Sequence, residues 1–146
     1  MILLVLLAAG SATAYWVASG SGSDSGSTAT TASVTLSPAT PSAALFPGGQ
    51  ASVALTITNP NLASVRVGSL ALDTSRGSGG FAVDGAHAGC VLSALSFATH
   101  TNAGAGWTVA GSGSLSVTLT NALSMTASAA NACQGATFTV YLTAGP

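Results

Sequence analysis

The sequence predicts an all-β domain, an antiparallel β-sandwich of about seven short strands, placed behind an apolar N-terminal segment and a polar linker. Three observations predict it. Apolar residues recur with period two in Val53, Leu55, Ile57 and again in Leu115, Val117, Leu119; clusters of Gly, Pro, Asn and Ser separate such runs; and Cys90 and Cys133 are the only cysteines in the chain of 146 residues. The first two describe half-buried strands between turns, and the third supplies one cross-link to a domain folding in an oxidising compartment.

The leader comes first. Ile2 to Ala9 is an unbroken apolar run, with small residues at Ala12 and Ala14. This suits a secretory signal cut before Tyr15. Carried on through Tyr15, Trp16 and Val17, the same stretch reaches the lower limit for a membrane span, with the two aromatic residues at interfacial depth. A buried helix is the third reading. No Lys or Arg precedes the run, although signals and anchors ordinarily carry positive charge there, and this points to a start upstream of Met1. Residues 1–18 are therefore expected to be a signal peptide or hydrophobic anchor helix, and membrane contact is expected only through them. Residues 19–31, SGSGSDSGSTATT, are too poor in apolar side chains to order themselves and are expected to be a flexible linker.

Residues 32–146 form the expected sandwich domain, long enough for a single core. Val34 and Leu36 open it, and Val53, Leu55 and Ile57 form a strand entered through Pro47-Gly48-Gly49 and left through Asn59-Pro60-Asn61. Both flanks are turn chemistry. Val65, Val67, Leu70 and Leu72 slip phase at Gly68-Ser69, which suggests a β-bulge. Shorter strands are expected at Phe81–Val83 and Val91–Phe97, then Leu115–Leu119 and Phe138–Leu142. The Ala-rich stretch Asn121–Ala132 fits either a helical turn or an irregular crossover. Gly77–Gly80 and Gly104–Gly106 read as hairpin ends, since neither has the Lys-Ser/Thr of a phosphate loop.

Cys90 and Cys133 are expected to form a disulfide, which for a loop of this length contributes about 4 kcal/mol in the chain-entropy model. They lack the spacing of a zinc site, and no neighbouring cation lowers either thiol pKa.

Charge excludes several functions. Arg66 and Arg76 are the only strong bases, Asp24, Asp73 and Asp84 the only carboxylates, and Lys and Glu are absent. Such a chain cannot build the basic patch a nucleic acid requires, so no nucleic-acid partner is expected. So little charge is also a weak defence against self-association. Asp84-Gly85-Ala86-His87 brings a carboxylate and an imidazole close in sequence, with Asp73 and His100 the other candidates, yet Asp before Gly is first of all turn chemistry. No catalytic, cofactor-binding or metal-binding residue is assigned, and no cofactor is expected. Trp107, after Gly104-Ala105-Gly106, is the candidate ligand contact, able to stack on a sugar ring if exposed and to pack in the core if not. Arg66, between Val65 and Val67, should point out of its sheet into solvent.

Two resemblances add expectations. Asn131 stands where an antibody-type domain has its tyrosine corner, so the chain resembles immunoglobulin-like sandwiches in architecture and not in topology. The junction Ala12-Thr13-Ala14-Tyr15-Trp16, with Leu45-Phe46-Pro47-Gly48-Gly49 ahead of Val53–Asn59, resembles the exported TasA/camelysin group of bacterial matrix proteins. That resemblance implies a jelly-roll-like domain and a cell-surface or biofilm-matrix protein able to polymerise. The Ala, Gly, Ser and Thr content resembles envelope proteins of high-GC bacteria such as actinobacteria. The expectation is a secreted or membrane-anchored, non-enzymatic protein whose extracellular sandwich adheres or self-assembles, with itself, other envelope proteins or a polysaccharide as partner. The alternative is a carbohydrate-binding module for wall or extracellular polysaccharide.

Overall fold

Alternating apolar and hydroxyl-bearing residues build the longest elements, and these organise the rest. The computed structural model describes residues 31–146, so the expected signal or anchor and nearly all of the linker lie outside the described residues. The described chain is all-β. Its strands are β1 (Thr35–Leu36), β2 (Thr40–Pro41), β3 (Gln50–Thr58), β4 (Val65–Val67), β5 (Ser69–Leu72), β6 (Phe81–Val83), β7 (Leu95–Phe97), β8 (Trp107–Val109), β9 (Ser114–Met125), β10 (Phe138–Val140) and β11 (Leu142–Gly145). Short 3-10 turns occupy Gly85–His87, Leu92–Ala94 and Asn131–Cys133.

One sheet is five-stranded, in the order β1-β3-β9-β7 with β2 also on β3. Its centre is the β3–β9 pair, where Val53 faces Leu119, Leu55 faces Val117 and Ile57 faces Leu115. Val53, Leu55, Ile57, Val117 and Leu119 are buried, whereas Thr58, Ser114, Ser116, Thr118 and Thr120 on the other face are exposed. β9 runs past the expected strand end. Asn121 takes a left-handed φ of 51°, absorbs the register shift opposite Ala51–Val53, and lets Leu123 and Met125 return to the core. Asparagine tolerates that conformation better than most side chains. Within Asn121–Ala132, therefore, strand continues to Met125 and only the last residues enter a helical turn.

The second layer is pieced together from three short ladders: β10–β6, β11–β5 and β4–β8. Their registers show one continuous arrangement. β5 and β6 both pair with the single segment 138–145, and between them the Asp73 N–H donates to the Tyr141 carbonyl and the Tyr141 N–H to the Gly80 carbonyl, each at 2.8 Å. Residues 73–80 are thus a loop inserted into one strand opposite Tyr141, and its end is the expected tight hairpin, since Ser78 and Phe81 exchange backbone hydrogen bonds around Gly79-Gly80. The Arg76 guanidinium covers the Tyr141 ring, 4.4 Å from its centroid, a cation–π contact that closes the loop over the strand. On the far side, β4 pairs with β8 and Leu70 exchanges backbone hydrogen bonds with His100. Gly104–Gly106 lies in the loop between those contacts and, unlike Gly77–Gly80, is not the hairpin end expected there.

The phase slip at Gly68 is real: Val67 is 2% and Leu70 0% exposed. Its cause is close approach. The Gly68 N–H donates to the Gly145 carbonyl, and a Cβ at Gly68 would collide with the Pro146 backbone. Segment 35–41 ties the layers together, because β1 and β2 pair with β3 while Ala39, between them, exchanges hydrogen bonds with Val140. One apolar cluster draws on both layers and includes Leu45, Phe81, Phe138 and Cys133.

Inside that cluster's rim lies a polar residue, Asn59, 1% exposed. It continues the inward phase of Val53, Leu55 and Ile57. Its amide donates to the carbonyls of Ala63, Val109 and Ala110, and its side-chain oxygen accepts from the Asn61 N–H. Every hydrogen-bonding need of the buried amide is met, so burial costs little and the group fastens the end of β3 to that of β8.

Candidate functional site

Cys90 and Cys133 form the expected disulfide, with Cα atoms 4.6 Å apart across a separation of 43 residues. Two 3-10 turns present them: the Cys90 N–H is held by the His87 carbonyl at 2.8 Å, and the Cys133 N–H by the Ala130 carbonyl at 2.9 Å. Both cysteines are buried.

Asp84 adds a second tie between the same segments. It caps the turn Gly85–His87, accepting the Ala86 N–H at 3.0 Å, and its other oxygen accepts the Thr137 N–H at 2.6 Å. Its carboxylate also meets His87 Nδ1 at 2.7 Å. The Thr137 N–H, and then His87, hold the Asp84 carboxyl below the ordinary value of 3.8. Asp84 and His87 do come together as the sequence suggested, but the carboxylate is spent on backbone N–H groups, which is the work of a clasp.

The other titratable candidates are dispersed. Asp73 accepts the Ser75 N–H at 3.1 Å in a turn of its own, and the His100 ring lies 6.2 Å from that of Phe97. No group of three or more His, Cys, Asp or Glu side chains able to hold a metal occurs among the described residues.

Arg66 does more than dissolve in water. Its guanidinium is exposed, yet it donates to the carbonyls of Ala105 and Gly104, each at 2.9 Å. Asn102 reinforces the same loop by donating to the Gly106 carbonyl at 2.7 Å. These bonds hold a turn in which Asn102, Ala103 and Gly104 all have positive φ. Trp107 follows immediately, opposite Val67 in the β4–β8 ladder, and is half-buried against the core. Trp107 is thus a partly buried residue next to an ordered loop.

A cleft of about 280 Å³ lies beside the Asp84 clasp, lined by Thr40, Pro41, Leu45, Gly135, Thr137 and Phe138 among others. Its lining offers methyl, ring and hydroxyl groups with no titratable side chain, so it can bind by shape and hydrogen bonding but cannot move a proton. Sequence reasoning missed the Thr137 tie and the buried Asn59. The inward phase of Asn59 after Ile57 was the one available signal. Comparison with protein-family models, curated proteins and solved structures finds no match to this chain.

Proposed function

We propose that this chain is an exported, non-enzymatic surface or matrix protein of the bacterial envelope, acting through adhesion or self-assembly. The observation that carries the reading is the outer face of the β3–β9 sheet. Thr58, Ser114, Ser116, Thr118, Thr120 and Ser96 stand exposed on it with no charge among them, and hydroxyls meet across strands at Thr58–Ser114, 3.0 Å, and Ser96–Ser124, 2.7 Å. Such a face makes many neutral contacts and has no like charge to hold copies apart. Leu62, 94% exposed, and Phe46, 64% exposed, add apolar contact points on loops. The disulfide supports an oxidising, extracellular setting.

The strand order favours the jelly-roll-like form of the expected sandwich. All ladders are antiparallel. One layer places Ala39 beside 138–145, then 65–83, then 107–109; the other places 50–58 beside 114–125, then 95–97. A jelly roll sets its first strand beside its last and its second beside the penultimate one, and this chain follows that rule. An immunoglobulin-like order would place the strand at 50–58 beside the one at 95–97, whereas here 114–125 lies between them.

The test is fractionation of exporting cells, intact mass of the product and electron microscopy of the purified protein. Expected are a mass starting at Tyr15, two hydrogens fewer than the dithiol form, and ordered assemblies. A cytosolic product with free thiols would overturn the proposal. The carbohydrate-binding reading rests on the part of Trp107 left at the surface beside the Arg66-held loop. It is checked by retention on wall polysaccharide, which Trp107→Phe should weaken and Leu62→Ala should not.

A further inference from the structure

β9 is paired unevenly. β3 lines one side of it over most of its length, but on the other side β7 reaches only Leu123–Met125, with one further bond from the Ala98 N–H to the Ala122 carbonyl. Among the described residues, no backbone hydrogen bond comes to 115–120 from that side. The stretch is bounded by the turn at Gly111–Gly113 and by the left-handed Asn121. An open strand edge normally carries protection such as Lys, Pro, an inward charge or a bulge. Residues 114–120, SLSVTLT, carry none of these and are all favourable or neutral in a strand.

The order of those residues names the occupant. SLSVTLT is symmetric in character about Val117. Antiparallel self-pairing about a two-fold axis at Val117 sets Ser114 against Thr120, Leu115 against Leu119, Ser116 against Thr118 and Val117 against its own copy. Cross-strand partners share a face, so hydroxyls meet hydroxyls on the exposed side and apolar side chains meet apolar ones on the side where Val117 and Leu119 are already buried. Shifting the register by one residue would place Ser and Thr against Leu and Val throughout. No charged side chain lies in the segment to oppose a second copy.

We infer that residues 114–120 of β9 form a symmetric edge-to-edge interface with the same residues of a second copy, joining two five-stranded sheets into one. This rests on the self-assembly reading above and assigns it a surface and a register. A single added ladder is a small interface, so the affinity is expected to be on the order of 10–100 μM.

The experiment is sedimentation equilibrium of the full protein recovered from exporting cells, at concentrations up to about 1 mM. Two double variants on the exposed face test the register. S116K/T118K places like charges directly opposite each other twice per interface and should weaken association at least about tenfold, whereas S116K/T118E places opposite charges there and should retain it. In the wild type, hydrogen exchange within 115–120 should slow as concentration rises. Association that both variants preserve equally, or lose equally, would overturn the β9 assignment while leaving self-assembly through another surface. A wild-type protein monomeric throughout would overturn both the assignment and the self-assembly reading.

Discussion

The β3–β9 sheet and the layer packed against it solve the same problem in different ways. The first is a long regular ladder whose Val53, Leu55, Ile57, Val117 and Leu119 reach the core by simple alternation. The second is a set of three-residue and four-residue ladders, interrupted at Gly68 and by the inserted loop 73–80. Its short strands cannot be held by ladder hydrogen bonds alone. They are fixed at separate points by the disulfide, the Asp84 clasp, the buried Asn59 and the cation–π cover of Tyr141. A small, nearly uncharged domain can therefore compensate for broken strands by placing strong local ties where they break.

That contrast predicts where the molecule gives way. The largest loss should follow removal of the cross-link: Cys90→Ala with Cys133→Ala is expected to lower unfolding free energy by about 4 kcal/mol in denaturant titration. Hydrogen exchange should then quicken first in the β10–β6 ladder while the β3–β9 amides stay protected; uniform loosening of both would erase the proposed difference. Leu119→Ala strikes the regular sheet and should cost about 3 kcal/mol as a cavity in the common core, with m-value unchanged.

Asn59→Ala is expected to cost about 2 kcal/mol, since it strips partners from the carbonyls of Val109 and Ala110, and should free the β8 end specifically. A cost near zero would mean water replaces the amide. The Asp84 clasp gives a pH signature of smaller size. Its folded pKa is lowered, chiefly by the Thr137 N–H, so its stabilisation is present above the ordinary carboxylate value of 3.8 and is lost as pH falls through the folded value. Asp84→Asn should therefore flatten the acid limb of the stability curve, and an unchanged acid limb would remove Asp84 from the clasp. The smallest effect is expected from Arg66→Ala, up to about 1 kcal/mol, seen as faster exchange in the 101–106 loop with the core unaffected.

Much of this was legible along the chain. The cysteine pair was legible because only one pairing exists, and the proximity of Asp84 to His87 because they lie three positions apart. Trp107 was read as either exposed or packed in the core, and the structure leaves it half-buried against the core. The role of Asp84 was not legible: Thr137 lies 53 residues away and contributes a backbone N–H, which no side-chain pattern reveals. Arg66 was expected to be merely solvated, because alternation shows that a side chain leaves the sheet but not that two carbonyls wait 38 and 39 residues ahead.

By itself the sequence determined the all-β class, the inward residues of the two long strands and the cross-link, since period-two burial and a lone cysteine pair are local or purely numerical signals. Tertiary structure alone decided which strand lies beside which: that 65–72 and 81–83 share one partner, that β1 and β2 serve one layer and Ala39 the other, and that β9 keeps one side open. The physical reason is that a strand's face follows from its own side chains, whereas its neighbours are chosen by backbone groups that every residue carries alike.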